Sequence, residues 1–342
     1  MPKNILVIGA GIMGSSITVP AAFNGHNSII VGTPLDKEII NSLRKDNKHP
    51  KLHLPLENAK YLHSDELDQE HIHNADVIVL GISSKGVDWL INFMNKYDFN
   101  EKKFLLVTKG LYTDESERIN ILPEKINKGL KNPIDITVIS GPCKASELAN
   151  KYLTNICFVN NDKQTATNIA KVFENQFYVI EKHEDVIGAE MCAALKNVYA
   201  IMVGVSQTIY NHEQKVFNPE SGIFVHCIKE MEKFILLHGG KTDTIFGLSG
   251  IGDLHVTSGV GRNGSLGKYL GKGKIFSDII ENELKGETVE GSNLLIELAP
   301  TIELYINKKI INIKEFPILK ELLDTIISNK KIVIPWDKIK YI

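Results

Sequence analysis

The sequence predicts an α/β domain built on a parallel sheet, followed by an all-α domain. Up to about residue 185, short apolar runs alternate with helical patterns, which is typical of a sheet covered by helices on both faces. Beyond Glu184, helical periodicity dominates. Since 342 residues are enough for two domains, we expect a first domain over residues 1–186 and a second over residues 187–342.

Six near-continuous apolar runs are the predicted strands of the first domain. They cover residues 4–9, 27–31, 77–82, 104–108, 136–140 and 155–159. In a doubly wound sheet, ligand contacts gather at the carboxyl ends of the strands. Lys109 and Gly141 each follow one of these runs directly, so both are candidates for a ligand site.

A glycine motif, Gly9-Ala10-Gly11-Ile12-Met13-Gly14, follows the first strand and precedes a helical pattern. This strand–turn–helix context indicates the dinucleotide-binding turn of a Rossmann-like domain. Gly9 permits the tight turn, Gly11 lets the backbone approach a pyrophosphate, and Gly14 lets the helix pack closely. We therefore expect NAD or NADP as the cofactor, held in part by the motif's Ile12 and Met13. The alternative is a glycine-rich turn without a ligand.

The second strand does not end on an acidic residue. Gly32 and Thr33 stand where an Asp or Glu would bind the adenosine ribose, and no arginine stands beside them. The choice between NAD and NADP is therefore open at this point. Thr33 is a predicted cofactor contact, whereas Asp36 is interpreted as a helix cap or first-turn residue.

In the second domain, Lys196 lies among small and apolar residues of a helix predicted over residues 186–209. Burying an ammonium group is costly unless it is paired or its pKa falls. A lysine whose pKa falls can act as an acid or base near neutral pH. The alternative is a lysine whose stem lies on the helix edge while its charge reaches water.

A second motif runs from Leu248 to Thr257 and is followed by Gly261-Arg262-Asn263. Asp253 and Thr257 are four residues apart, so a helical turn would place them on one face. Arg262 offers a planar fork that suits a phosphate. Half of the chain's 26 glycines lie between residues 239 and 291, which indicates a backbone that approaches a ligand closely. An ordinary loop is the alternative.

Composition narrows the class of partner. A net charge of −2 argues against binding dominated by nucleic-acid phosphates. The four cysteines show no C-x-x-C spacing and the histidines no metal-ligand spacing, so we expect reduced thiols and no metal. The first residues read as a strand rather than a signal peptide, and no apolar run suggests a membrane span. We therefore expect a cytoplasmic protein.

Taken in order, the motifs resemble those of glycerol-3-phosphate dehydrogenases that use a nicotinamide cofactor. The resemblance runs nearly end to end. It rests on Gly9–Gly14, Thr108–Gly110, Ser140–Pro142 with Ala145 and Glu147, Ala194–Asn197, Gly252–Leu254 with Thr257, Gly261–Asn263, and Val289–Gly291.

The resemblance implies hydride transfer between NAD(P)H and the central carbon of dihydroxyacetone phosphate, giving sn-glycerol 3-phosphate. The residues it implies for catalysis are Lys196 as the general acid, Lys109 and Asp253. Those implied for substrate binding are Asn197, Thr257, Arg262, Asn263 and Gly141. Those implied for the cofactor are the glycine turn, Thr33, Lys109, Ala145, Arg262 and Glu290.

Four departures from the family pattern leave the substrate open. Cys143 and Lys144 replace a serine and an aromatic residue that are frequent in the family, Gly264 replaces a basic one, and His255 replaces an apolar one. The alternatives are the same chemistry on another phosphorylated polyol or ketone, and a dinucleotide-binding sensor without catalysis. The expected partner is a small phosphorylated substrate, and a homodimer is compatible with the sequence.

Overall fold

The computed structural model describes residues 1–210 and 217–339, and its first part is built on an eight-stranded sheet. The strands are β1 (Asn4–Ile8), β2 (Asn27–Gly32), β3 (Ala59–His63), β4 (Val77–Leu80), β5 (Lys103–Leu106), β6 (Leu111–Thr113), β7 (Ile119–Ile121), β8 (Ile136–Ser140), β9 (Thr154–Val159) and β10 (Tyr178–His183). The sheet order is β10-β9-β8-β5-β4-β1-β2-β3, and β6 and β7 form a separate antiparallel hairpin.

The predicted α/β class with a mainly parallel sheet is confirmed. Neighbouring strands are parallel from β3 to β8, and β9 and β10 are parallel to each other. One expectation is wrong in detail, because β9 runs antiparallel to β8. The strand order changes direction between β1 and β4, and the carboxyl ends of strands at such a point are where α/β sheets bind ligands.

Eight helices accompany the sheet in the described part of the chain. They are α1 (Ile12–Ser16), α2 (Thr18–Phe23), α3 (Lys37–Asp46), α4 (Gln69–His73), α5 (Val87–Met94), α6 (Leu122–Gly129), α7 (Ala145–Ala149) and α8 (Lys163–Phe173). Apolar strand residues such as Val7, Val79 and Ile156 are completely buried against helix residues such as Ile17 and Ile169. This core holds the carboxyl ends of the central strands in place.

Helices alone follow residue 186 in the described part of the chain, which confirms the predicted helical region. They are α9 (Val186–Ser206), α10 (Asn218–Leu237), α11 (Thr242–Phe246), α12 (Asp253–Val260), α13 (Arg262–Gly271), α14 (Phe276–Glu281), α15 (Glu290–Asn307), α16 (Pro317–Ile327) and α17 (Trp336–Ile339). Helix α9 ends three residues before the predicted end. A π-helical turn, Leu248–Gly252, leads directly into α12.

Contacts divide the chain into two compact units. The first contains Met1–Lys109 and Leu122–Val186, and the second contains Gly110–Ile121 with the chain from Ile187 onward. The β6–β7 hairpin, which lies inside the predicted first domain, thus belongs to the second unit. The reason is a set of hydrogen bonds to α15: the Thr113 and Thr301 hydroxyls lie 2.8 Å apart, and Ile119 N–H donates to the Tyr305 hydroxyl at 3.0 Å.

Helix α9 is the longest helix in the described part of the chain, and it is apolar. It has 21 residues and is apolar enough that, by length and composition alone, it could cross a membrane. The expected absence of a membrane span therefore stays a prediction. However, 89% of its apolar window is buried inside the protein, as in the central helix of a helical core.

A buried carboxyl group joins three helices of the second unit. Glu230 on α10 is fully buried and accepts hydrogen bonds from Ile318 N–H at 2.6 Å and Leu319 N–H at 2.9 Å, at the start of α16. It also accepts one from the Tyr199 hydroxyl on α9 at 3.2 Å. Burial raises the pKa of Glu230 to about 7, and the two backbone donors only partly oppose this rise.

We expect Glu230 to make stability depend on pH. The folded-state pKa of about 7 exceeds the ordinary value of 4.5, so the folded state favours the protonated carboxyl. Its contribution is then fully present below pH 4.5 and is lost as the pH rises through 7. In Glu230→Gln, the side chain at this position is uncharged at every pH. Urea unfolding at pH 5 and pH 8 should therefore show wild-type stability falling relative to this variant.

Glu232→Gln on the same helix is the matched control, because Glu232 lies near the surface, where it accepts a bond from the Thr242 hydroxyl. It should follow the wild-type pH dependence. Parallel pH dependences for wild type and Glu230→Gln would contradict the assignment.

Candidate functional site

The glycine turn after β1 has two glycines that the fold itself requires. Gly9 has a φ of +111°, and a Cβ there would lie 2.4 Å from the Gly81 carbonyl oxygen at the end of β4. A Cβ on Gly14 would lie 2.5 Å from the Gly9 carbonyl oxygen. The predicted tight turn and close helix packing are therefore both present.

Gly11 is different, because a Cβ there would have only the Gly81 carbonyl oxygen near it, at 3.9 Å. Gly11 precedes α1, and no side chain caps that helix. The residue between α1 and α2, Ile17, is itself helical. The first N–H groups of this helical segment can therefore face an anion, and the missing side chain leaves room for it. The turn thus fits a dinucleotide pyrophosphate.

Two side chains hold the peptide groups on either side of Ala10. The Asp36 carboxylate accepts a hydrogen bond from Ala10 N–H at 3.2 Å, and from the Thr33 N–H and hydroxyl at 2.9 and 2.8 Å. The buried His49 ring donates from Nε2 to the Ala10 carbonyl oxygen at 3.1 Å. Asp36 is thus a first-turn residue, as predicted, and also touches the cofactor turn.

The tautomer of His49 follows from its other contacts. Its Nδ1 accepts hydrogen bonds from Lys51 N–H and Leu52 N–H, both at 3.2 Å, so the hydrogen is on Nε2. Burial lowers the pKa of His49, which favours this neutral form. Sequence reasoning missed His49 because it lies 39 residues from Ala10, on no recognisable motif.

The other predicted residues of the first unit follow neighbouring strands. Lys109 comes after β5, where the Thr108 hydroxyl donates to the Ile82 carbonyl at 2.8 Å and so ties the ends of β4 and β5. Gly141 follows β8 with a φ of +106°, and Ala145 begins α7, which packs against α1. All three lie past the carboxyl end of β5 or β8. Their contacts with ligands stay predictions.

The centre of the second unit's candidate site is an ion pair between Lys196 on α9 and Asp253 on α12. The two side chains are only 9% and 2% exposed. Lys196 is therefore not a lysine whose charge reaches water at a helix edge. A buried ammonium can keep its charge when a carboxylate lies beside it.

The π-helical turn places Asp253 at the first position of α12. A Cβ on Gly250 in this turn would lie 2.0 Å from the Ile245 carbonyl oxygen, so the turn packs directly on the backbone of α11. Thr257 follows one helical turn after Asp253, as predicted. The glycine-rich sequence before Asp253 thus serves to bring the carboxylate to Lys196.

Asn263 connects three helices through its amide group. Its Nδ2 donates to Asn197 Oδ1 on α9 at 2.9 Å, and its Oδ1 accepts from Gly291 N–H on α15 at 2.9 Å. The side chain is buried. A Cβ on Gly291 would lie 2.2 Å from the Asn197 carbonyl oxygen, so the two backbones meet directly.

Arg262, the neighbour of Asn263, faces outward and is held by two glutamates. Its Nη2 lies 2.5 Å from Glu290 Oε1, and its Nη1 lies 3.5 Å from Glu287 Oε2. The Arg262 side chain remains 44% exposed. A phosphate at this guanidinium would therefore have to compete with carboxylates.

The interpretation of the dense glycines as ligand contacts is wrong for several of them. A Cβ on Gly264 would lie 2.5 Å from the Ser258 carbonyl oxygen, and one on Gly267 would lie 2.0 Å from the Ile201 carbonyl oxygen. Gly204 on α9 meets the Gly264 carbonyl in the same way, at 2.3 Å. These glycines let α13 pack directly on α9 and α12.

The second unit therefore brings together the side chains that the sequence analysis singled out there. They are Lys196 with Asp253, Asn197 with Asn263, and Arg262 with Glu290. Thr33, Lys109, Gly141 and Ala145 belong to the first unit with the glycine turn.

Two family models match the chain. Residues 4–166 match the N-terminal domain, and residues 185–334 the C-terminal domain, of NAD-dependent glycerol-3-phosphate dehydrogenase.

Individual proteins agree with these matches. An NADP(+)-dependent glycerol-3-phosphate dehydrogenase of Archaeoglobus fulgidus is 33% identical over 81% of this chain and 82% of its own length. A glycerol-3-phosphate dehydrogenase [NAD(P)+] of Limosilactobacillus reuteri is 30% identical over 85% of each chain. The crystal structure of a Coxiella burnetii glycerol-3-phosphate dehydrogenase superposes with a TM-score of 0.79 at 21% identity, covering 99% of this chain and 98% of that one.

We expect Gly11→Val to keep the fold but weaken dinucleotide binding. The nearest protein atom to a Cβ there is 3.9 Å away, so the new side chain would mainly fill the space where we expect the pyrophosphate. Calorimetric titration should show affinity at least about tenfold lower, which is about 1.4 kcal/mol. Gly9→Val is the contrasting variant and should lower the melting temperature, because position 9 has a positive φ and a close backbone neighbour. Unchanged affinity in Gly11→Val would show that the turn serves the fold alone.

Proposed function

Because the chain belongs to the family of NAD-dependent glycerol-3-phosphate dehydrogenases, we propose that it transfers a hydride between NAD(P)H and dihydroxyacetone phosphate. The product is sn-glycerol 3-phosphate. The observation that carries the proposal is the buried Lys196–Asp253 pair, in a chain whose glycine turn fits a dinucleotide.

Lys196 is the proposed general acid. Bound NAD(P)H supplies the hydride, and reduction of the ketone then builds negative charge on the carbonyl oxygen. The Asp253 carboxylate favours the protonated amine of Lys196, which can donate a proton to that oxygen. Asp253 is in this proposal a positioning residue for Lys196, while Thr257 and Asn197 orient the substrate.

The phosphate of the substrate is proposed to bind at Arg262. The guanidinium is exposed and already pairs with Glu287 and Glu290, so an incoming phosphate would exchange one anionic partner for another. The buried neighbour of Arg262, Asn263, holds this part of the chain in place, because its amide is hydrogen-bonded to Asn197 and Gly291. Lys109 is kept as the proposed second lysine of the reaction.

The structure weakens one reason for proposing another phosphorylated substrate. The basic residue frequent in the family is replaced by Gly264, whose position has no room for a side chain beside Ser258. The change is therefore explained by helix packing. A non-catalytic sensor is also disfavoured, because such a protein has no need to bury the Lys196–Asp253 pair. The homodimer and the cytoplasmic location stay predictions from the sequence.

We expect Lys196→Met to reduce turnover of dihydroxyacetone phosphate with NADH by about a hundredfold or more. The substitution removes the proton donor but keeps an unbranched side chain of similar length. Dinucleotide affinity, measured by calorimetry, should change little. Near wild-type turnover in this variant would remove Lys196 from the mechanism.

Removing one partner of a buried ion pair can also destabilise the fold, by about 3–5 kcal/mol. The double variant Lys196→Met/Asp253→Asn removes both charges of this pair and is the matched control for stability. Its melting temperature should be closer to that of the wild type than the melting temperature of Lys196→Met is, and it should remain inactive. If the double variant were as active as the wild type, the pair would have a structural role only.

Asp36 suggests which cofactor the enzyme prefers. Its carboxylate lies beside the glycine turn, held by Thr33 and by Ala10 N–H, although it comes four residues after the end of β2. We propose that it favours the ribose hydroxyls of NADH and repels the additional phosphate of NADPH. The Archaeoglobus relative is named for NADP(+), so the two proteins would differ here.

We expect kcat/KM to be higher for NADH than for NADPH, and Asp36→Asn to narrow this ratio by about tenfold through loss of the negative charge. Glu38→Gln is the control, because Glu38 is an exposed acid in the first turn of α3. Steady-state kinetics with both cofactors measures the effect. An unchanged ratio in Asp36→Asn, or an equal change in Glu38→Gln, would contradict the role.

A further inference from the structure

Three potential metal ligands lie together on the last two strands of the sheet. They are Cys157 on β9 and Glu181 and His183 on β10, and their ligand atoms all lie within 4.8 Å of one another. The parallel register pairs Glu181 with Cys157, and His183 follows two residues later. Residues two apart on a strand share a face, so all three side chains lie on the same side of the sheet.

The distances suit a tetrahedral centre. His183 Nε2 and Glu181 Oε2 lie 3.2 Å apart. Nitrogen and oxygen ligands at their usual distances from a tetrahedral zinc are separated by about 3.4 Å, so a metal ion can replace the hydrogen between them with little movement. Since no two ligand atoms are more than 4.8 Å apart, bringing the carboxylate or imidazole to the sulfur needs a movement of at most about 1 Å.

A neighbouring amide already orients the carboxylate. Asn155 Nδ2 donates to Glu181 Oε1 at 3.3 Å, which leaves Oε2 directed at the imidazole. Groups that hydrogen-bond a ligand in this way fix its orientation in metal sites. Asn155 lies on β9 two residues before Cys157, so the strand that carries the thiol also positions the carboxylate.

One of the three potential ligands is buried, and the other two are accessible to solvent. Cys157 is buried and not in a disulfide, whereas the Glu181 and His183 side chains are 45% and 50% exposed. The two exposed groups can therefore rotate toward the sulfur, and a metal ion can enter from solvent. A water molecule would complete the coordination.

The ligand set selects the kind of ion. A thiolate and an imidazole favour zinc-like ions over magnesium or calcium, which prefer oxygen ligands throughout. We propose that Cys157, Glu181 and His183 bind one zinc-class divalent ion, which joins the edge strand β10 to β9. Binding removes the thiol proton of Cys157 to the buffer, and the ion undergoes no redox change. Sequence spacing did not predict this site, because its ligands come from two strands with α8 between them.

The test uses the full-length protein without an affinity tag, stripped of metals. Titration with Co²⁺ should give one ion per chain and a thiolate-to-cobalt charge-transfer band in the near ultraviolet. Zinc should displace the cobalt and raise the melting temperature. Glu181→Gln and His183→Gln should each weaken zinc affinity at least about tenfold, since even changes behind metal ligands cost 10–100-fold. Cys157→Ser should abolish the charge-transfer band.

His71→Gln is the matched control, because His71 forms a similar exposed pair with Asp68, at 2.6 Å, without a thiol in the group. Cys143→Ser controls for general thiol binding. Both should bind zinc as the wild type does. Cys157 is buried, so Cys157→Ser could misfold. In that case the zinc affinities of the two exposed-ligand variants, Glu181→Gln and His183→Gln, test the proposal. Failure of the wild type to bind one ion, or full affinity in both exposed-ligand variants, would overturn the proposal. The readouts are independent of dehydrogenase activity.

Discussion

The ion pair between Lys196 and Asp253 is the constraint on which the helical unit depends. Two charges removed from water are tolerated only when they meet at short range, so α9 and the start of α12 must be held in one relative position. The π-helical turn provides that position by packing Gly250 against the backbone of α11. The same requirement explains why the segment before Asp253 contains so little side-chain bulk. In the proposed mechanism, proton donation would depend on the same contact as stability.

In the sheet unit, too, one group is held in a fixed position by its neighbours. This group is the backbone of Ala10 in the glycine turn rather than a charged side chain. The N–H of Ala10 is held by Asp36 and its carbonyl by His49, while Gly9 supplies the positive φ. A turn fixed on both sides does not have to order itself when an anion binds, which lowers the entropic cost of binding. The neutral tautomer of His49 matters here, because only a ring with a free Nδ1 can accept from Lys51 and Leu52.

The sequence was sufficient for the central strands and for the side chains of the helical site, but for different reasons. Strands such as β4 are continuous apolar runs, because both faces are covered. Strands β3 and β10 were missed because they lie at the sheet edges and carry exposed polar residues such as Lys60 and Glu181. The antiparallel direction of β9 has no local signal. The contacts of Asp36 and His49 with Ala10 could not be predicted from the sequence either, since they depend on how distant segments fold together.

The neighbours Arg262 and Asn263 show how one short motif can serve two purposes. Successive residues on a helix point about 100° apart, so one can face solvent while the next is buried. Asn263 is buried, and its amide joins α9 and α15 through two hydrogen bonds that a bound ligand would have to break. Arg262 is 44% exposed and pairs with Glu290, and in the proposed function a phosphate would take the place of that carboxylate. Asn263 thus holds three helices together, while Arg262 is the proposed partner of the substrate phosphate. A change at position 263 should therefore disturb the site through the backbone of α15, whereas a change at position 262 should act through the proposed phosphate contact and the ion pairs with Glu287 and Glu290.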